Sequence, residues 1–261
     1  MHTSLASAIN LPAPIVGSFF TANWAAPHNV KTLITTRHGG ISSGAYHSLN
    51  VGAHVGDNPA HVAENRARVQ AQVPVPIAYL QQTHSATVVQ AADSIAAPLN
   101  ADASVDASGS VACAVMTADC LPVLFCDRAG TVVAAAHAGW RGLADGVLQN
   151  TVAAMGVPAV EIMAYFAPAI GAESFEVGQD VLDAFCAENH AAEQMFTPIS
   201  SSKYLADIYG LARLILQREG VTQIFGGEHC TVLERETFFS YRRDGTTGRM
   251  ASMIWLENDE V

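Results

Sequence analysis

Three apolar runs in the middle of the chain, at residues 111–117, 121–126 and 132–137, have the length of buried strands. Turn-forming ADCLP and DRAG separate them, so they predict a compact sheet. Residues 139–156 then carry Leu143, Val147, Leu148, Val152 and Met155 at a helical spacing, with Gly156 as the C-cap, and residues 160–166 return to a strand. Upstream, residues 30–36 and 77–82 read as strands, and Asn58 followed by Pro59 opens a helix through HVAENRARVQAQ. The Ala/Ser/Asp-rich stretch 91–110 reads as a loop. Downstream, residues 178–188 and 204–219 read as helices. The second of these places Leu205, Ile208, Leu211, Leu214 and Ile215 on one face and stops at Gly220, and strands near 238–242 and 250–256 follow. Strands and helices alternate only in part. The expected class is therefore α/β with an α+β character: mixed β-sheets with flanking helices.

No internal repeat or Pro/Ser-rich linker divides the sequence, and 261 residues are within reach of one α/β domain, so a single domain over 1–261 is expected, with its motif-bearing core at about 30–256. Half of the residues are apolar and 14% are charged, enough to build a large core. A formal charge of -11, from 24 acidic and 13 basic residues, offers no footprint for a polyanion, so nucleic acid is not an expected partner. The first ten residues, MHTSLASAIN, lack a basic region followed by an apolar run, and no segment reaches the ~18 apolar residues of a membrane span. Five cysteines without a CxxC pair suit a reducing compartment. The expectation is a cytoplasmic protein with no membrane partner. It is expected to be a monomer, because no heptad pattern argues for assembly.

Candidate chemistry gathers where apolar runs end. His84 (QQTHS), Cys120 (TADCLP) and His137 (AAAHAGW) each stand at such an end, where a side chain can leave the core and face a cleft. Two imidazoles and a thiolate suit zinc, and three protein ligands leave the fourth tetrahedral position open for water or substrate. Separations of 36 and 17 positions match no generic metal motif. A packing cysteine, a core histidine, or a metal-free thiolate–imidazolium pair are alternatives for the same residues. Around them lie TTRHGGISSGAYHSLN at 35–50, HAGWRG at 137–142 and FFSYRRDGTTGRM at 238–250, which join glycines to Arg37, Arg141, Arg242 and Arg243. Glycine admits close backbone approach and arginine clamps oxyanions, although turns with surface arginines give the same pattern.

The ordered set TTRHGG, SLN, QQTH, TADCLPVLF, AAAHAGWRG, APAIG, FEVG, CT and FFSYRRDGTTGRM resembles the multicopper polyphenol oxidoreductase, or laccase-domain, family of purine nucleoside phosphorylase type, from about residue 35 to 255. The resemblance implies a fold similar to that of a bacterial toxin deamidase with a cysteine-hydrolase-like site. It implies metal ligands at His84, Cys120 and His137, with zinc as cofactor and copper as the other candidate. The implied activity is phosphorolysis of adenosine, inosine and S-methyl-5'-thioadenosine to a base and a ribose 1-phosphate, with adenosine deamination as a second reaction. The partners are thus purine nucleosides and phosphate. Cys120 and His137 would be catalytic, and Asp119 is the adjacent group to move protons. Arg37, with the amides of Gly39 and Gly40, is a candidate for holding the anion, and Asn50 and Arg242 for contacting base or ribose. Three rival readings follow from the same residues: a Cys–His hydrolase or amidase with Cys120 as nucleophile, copper oxidation of phenols, and a non-catalytic partner in cell-wall precursor editing.

Overall fold

A computed structural model describes residues 15–187 and 189–257. The first ten residues, read above for a leader, and Glu188, read as the end of a helix, lie outside the described residues.

Two large sheets and one small one organise the chain. In spatial order the six-stranded sheet runs Gln223–Gly226, Ile162–Phe166, Leu121–Asp127, Val133–Ala138, Ala103–Asp106 and Val88–Gln90. The five-stranded sheet runs Phe19–Phe20, Val30–Thr35, Met250–Leu256, Ala112–Thr117 and Ile77–Ala78. Glu176–Gly178, Lys203–Ala206 and Phe196–Ser200 form the third sheet. Both large sheets are mixed: Gln223–Gly226, Val88–Gln90 and Ile77–Ala78 pair in parallel with their neighbours, whereas the inner pairings are antiparallel. The mixed-sheet α/β class expected from the sequence is the class observed.

Alternation within the apolar runs explains the layering. In the strand Leu121–Asp127, Leu121, Val123 and Phe125 join a core with the helices Val147–Ala154 and Ile208–Arg218, while Leu124 and Cys126 point to the other face and meet Cys113, Val115 and Ile254 of the five-stranded sheet. Ala112, Ala114 and Met116 pack outward from that second sheet against Val69 and Val73 at the end of the helix Pro59–Gln70. Strands buried on both faces read as continuous apolar runs, and that is how the middle of the sequence reads.

Local chemistry sets the helix starts. The Asn58 side chain accepts from the Ala60 amide at 2.9 Å with Pro59 at the first helical position, as the Asn-Pro pair predicts. Five elements differ from their sequence reading. The strand expected over 77–82 is only Ile77–Ala78, with an isolated bridge between Gln81 and Asn100. The helix expected over 204–219 begins only at Ile208, capped by Asp207 onto the Gly210 amide, because residues 203–206 are a strand of the small sheet. The helix expected over 139–156 is two helices, Trp140–Ala144 and Val147–Ala154, parted where Gly146 takes φ +95°. Residues 238–242 form no strand; Ser240 caps a short helix, Tyr241–Asp244. The stretch read as a loop over 91–110 contains Ala103–Asp106, a buried strand whose small side chains hide it from a hydrophobicity pattern. Among the described residues, no helix is long and apolar enough to cross a membrane.

Candidate metal centre

The site lies where the two large sheets are joined. Residues 118–120 carry the chain from Ala112–Thr117 of one sheet to Leu121–Asp127 of the other, and Cys120 ends that link. His137 is the penultimate residue of the neighbouring strand Val133–Ala138, opposite Pro122. His84 comes from the loop after Ile77–Ala78. His137 is buried, Cys120 half-buried and His84 exposed, so the group opens in one direction only.

The three donor atoms lie within 4.8 Å of one another, and His84 Nε2 is 3.7 Å from Cys120 Sγ. A tetrahedral zinc ion with Zn–S near 2.3 Å and Zn–N near 2.05 Å needs an N···S edge of about 3.6 Å, so the donor set suits the metal and the His84–Cys120 edge matches it. The fit extends outward. His137 Nδ1 is 2.8 Å from Asp102 Oδ1, which leaves Nε2 as the free ring nitrogen. Asp102 is wholly buried and also accepts from the Thr83, His84 and Ser85 amides at 3.1, 3.0 and 2.6 Å, and from Ser85 Oγ at 2.8 Å. One carboxylate thus orients one ligand and holds the backbone of another. Asp102 went unread in the sequence because it lies in the supposed loop.

Cys120 and His137 also act on each other as a charge pair. Burial raises the Cys120 thiol, but the charge of His137 and hydrogen bonds from both imidazoles outweigh it and bring the pKa to about 6. Burial works against the His137 cation, yet the Cys120 thiolate and then the Asp102 carboxylate raise it to about 9. Burial raises Asp102, but hydrogen bonds from His137 and from the Ser85 hydroxyl and amide outweigh it and hold the carboxylate below its usual range.

Backbone strain accompanies the site. His84 and Asp119 take φ of 62° and 94°, a region that costs a non-glycine residue energy unless its surroundings hold it there. Asp102 supplies that hold for His84. Asp119 is fixed by its own carboxylate, which accepts from Thr231 Oγ1 and from the Arg242 amide, both at 2.6 Å. Gly139 is required by contact: a Cβ there would stand 2.6 Å from His84 Cδ2 and 3.1 Å from Cys120 Sγ.

In front of the donors opens a cavity of about 250 Å³, walled by Trp140, Phe175, Ile208, Tyr241 and Arg242. Arg141 stacks on Trp140 at 4.3 Å, and Arg242 lies 5.6 Å from the Phe175 ring while donating to the Glu176 carbonyl at 2.9 Å. Aromatic walls beside guanidinium groups suit a flat, polar-edged heterocycle. Arg37 and Asn50 do not line this cavity. Arg37 donates to the carbonyls of His47 and Arg235 at 3.1 and 2.9 Å, and the Gly40 amide is engaged by Ser48 Oγ. Asn50 is fully buried and ties Gly52, Asp57 and the Arg249 amide together. A larger cavity of about 380 Å³, near Glu173, Arg213 and Cys230, contains none of the three donors.

Comparison with known proteins gives the chain a family and a fold neighbourhood. The family model described as multi-copper polyphenol oxidoreductase laccase matches residues 31–257. The chain is 54% identical over 235 residues to a protein of Escherichia coli named purine nucleoside phosphorylase YfiH, covering 89% of this chain and 96% of that one. It is 49% identical over 244 residues to a purine nucleoside phosphorylase of Pseudomonas aeruginosa, covering 93% and 100%. A crystal structure of a Neisseria meningitidis protein superposes with a TM-score of 0.92 at 68% identity, over 93% of this chain and all of that one.

Proposed function

Because the chain belongs to the multi-copper polyphenol oxidoreductase laccase family and brings two histidines and a cysteine together at spacing suited to a metal ion, we propose that it is a zinc-dependent purine nucleoside phosphorylase. The observation that carries this reading is the His84–Cys120–His137 group facing an aromatic-walled cavity, in a chain whose relatives bear that enzyme's name. Adenosine, inosine and S-methyl-5'-thioadenosine are the substrates of this reading, adenosine deamination is its second reaction, and a monomer in the cytoplasm is its setting.

When bound, the ion would supply a Lewis acid at the cavity wall. The chain's own residues do the rest. Trp140 and Phe175 take the faces of the purine, and Arg242, anchored on Ser174 and Glu176, sets the depth to which it enters. Asp102 keeps the His137 proton on Nδ1 and Nε2 free. A phosphate oxygen adds to the anomeric carbon, the bond from that carbon to the purine nitrogen breaks, and its electron pair leaves with the base. Copper chemistry with three or four ions finds less support, since among the described residues one group of three donors stands ready for a metal.

A second reading has its own observation. Cys120, with its lowered pKa, His137 and Asp102 stand as nucleophile, base and orienting carboxylate, the arrangement of a cysteine hydrolase, a role that would suit cell-wall precursor editing. Chromatography of adenosine reactions with and without phosphate separates the two. Adenine formed only with phosphate, abolished by a chelator and restored by zinc, supports the phosphorylase. Absence of turnover in every arm, with thiol alkylation abolishing amide hydrolysis, rejects it.

A further inference from the structure

Two arginines beside the metal centre carry half-buried guanidinium groups without a carboxylate partner among the described residues. Arg249 precedes the strand Met250–Leu256. Because Met250 pairs with Thr117, the antiparallel register sets Arg249 beside Ala118, at the start of the short link that ends in Cys120. Its amide donates to Asn50 Oδ1 at 2.9 Å and its carbonyl accepts from Val51 at 3.2 Å. Arg66 reaches the same loop from the helix Pro59–Gln70. It donates through Nε to the Val51 carbonyl at 2.8 Å and stacks on Tyr79 at 4.1 Å. Residues 50–52 are therefore held by the Arg249 backbone on one side and the Arg66 side chain on the other.

The Arg249 guanidinium is only partly committed. Nη1 donates to the carbonyls of Thr247 and Gly248 at 3.1 and 3.0 Å, and no partner within the described residues takes Nε or Nη2. The neighbouring Thr247 hydroxyl is buried and likewise unpartnered. The nearby carboxylate of Asp119 is occupied by Thr231 and the Arg242 amide. Burial lowers the pKa of both arginines, and burial followed by the charges of Arg249, Arg66 and His137 lowers that of His54. Arg243, by contrast, has Asp244 at 2.8 Å, and Arg37 has its two carbonyls. An unpaired cation removed from water is costly, and a planar guanidinium with free donors matches an oxyanion.

We propose that Arg249, with Arg66 and His54 at its rim, binds inorganic phosphate beside the metal centre. This subsite rests on the phosphorylase reading, for which it supplies the second substrate. Equilibrium dialysis of the full zinc-loaded chain against radiolabelled inorganic phosphate tests it, with Arg249→Gln, Arg249→Lys and the exposed Arg128→Gln as charge control. Phosphate binding should weaken roughly tenfold or more in Arg249→Gln, by less in Arg249→Lys, and not at all in Arg128→Gln. Circular dichroism establishes that each variant is folded. Should Arg249→Gln not fold, Arg249→Lys decides, and wild-type affinity in it overturns the subsite. Unchanged phosphate affinity in folded Arg249→Gln, or no phosphate binding by the wild type, also overturns it. Adenosine turnover measured alongside keeps the two ideas apart: phosphate-dependent turnover with undiminished binding in Arg249→Gln rejects the subsite alone, and Arg249-dependent binding without nucleoside turnover rejects the phosphorylase alone.

Discussion

Replacing Asp102 by asparagine keeps the size of the side chain and removes one of its two acceptors. In the wild type, Oδ2 receives the Thr83 and Ser85 amides and the Ser85 hydroxyl, while Oδ1 receives the His84 amide and His137 Nδ1. If the new amide nitrogen takes the Oδ1 position, it meets the His84 N–H donor against donor. It also forces His137 to accept at Nδ1, which moves the ring proton to Nε2 and blocks the nitrogen that would hold the metal. If it takes the Oδ2 position, the Thr83 and Ser85 amides lose their acceptor instead. Each buried donor left without a partner costs about 1–3 kcal/mol, so the apo protein should lose roughly that amount per orphan in urea unfolding. Outer-shell partners of histidine ligands typically account for about 10–100-fold in metal affinity. A zinc titration of Asp102→Asn in competition with a chromophoric chelator should show a loss of that size. Zinc affinity within threefold of the wild type, in a variant whose urea curve shows it folded, would refute the assignment of Asp102 as the residue that orients His137.

The remaining predictions concern the same region and the core. Gly139→Ala places a methyl against His84 and Cys120, so it should lose bound zinc on dialysis, read by elemental analysis, with little change in the circular dichroism spectrum. In the zinc-free protein, Cys120 has its pKa lowered to about 6, so its reactive thiolate forms as pH rises through that value. Iodoacetamide labelling of Cys120 should accordingly level off above about pH 7, and a rate still climbing toward the pH of an ordinary thiol would contradict the charge pair. Phe125→Ala removes a fully buried ring between sheet and helices, and should cost about 3–5 kcal/mol in urea unfolding with the zinc ligands intact.

Cys120 and His137 are legible because each stands at the end of a buried strand, where a reactive side chain has few places to go but a cleft; His84 is reached from the apolar run before it, although in the structure the strand there ends at Ala78. The central strands were legible for a related reason: burial on both faces makes their apolar runs continuous. What escaped was written in small or polar residues. Asp102 and the strand Ala103–Asp106 sit in an Ala/Ser/Asp-rich stretch, where close packing favours small side chains that also favour loops. Phe238 and Phe239 suggested a strand, but both are buried in a loop that leads to the Ser240 cap. Arg249 could not be told from other arginines by sequence, because its place beside Cys120 depends on a register between strands more than a hundred residues apart.

That register has a consequence for how the protein comes into being. The strand Met250–Leu256 does not extend the edge of its sheet; it is inserted between Val30–Thr35 and Ala112–Thr117, and pairs with both. While the chain is being synthesised, those two strands must wait with open edges until residues 250–256 have left the ribosome, a period in which unpaired backbone invites association with other chains. Closing that gap needs contacts across most of the polypeptide, the kind that form slowly. The reaction cavity, whose link from Thr117 to Cys120 borders the late strand, is thus among the last parts of the molecule to be finished.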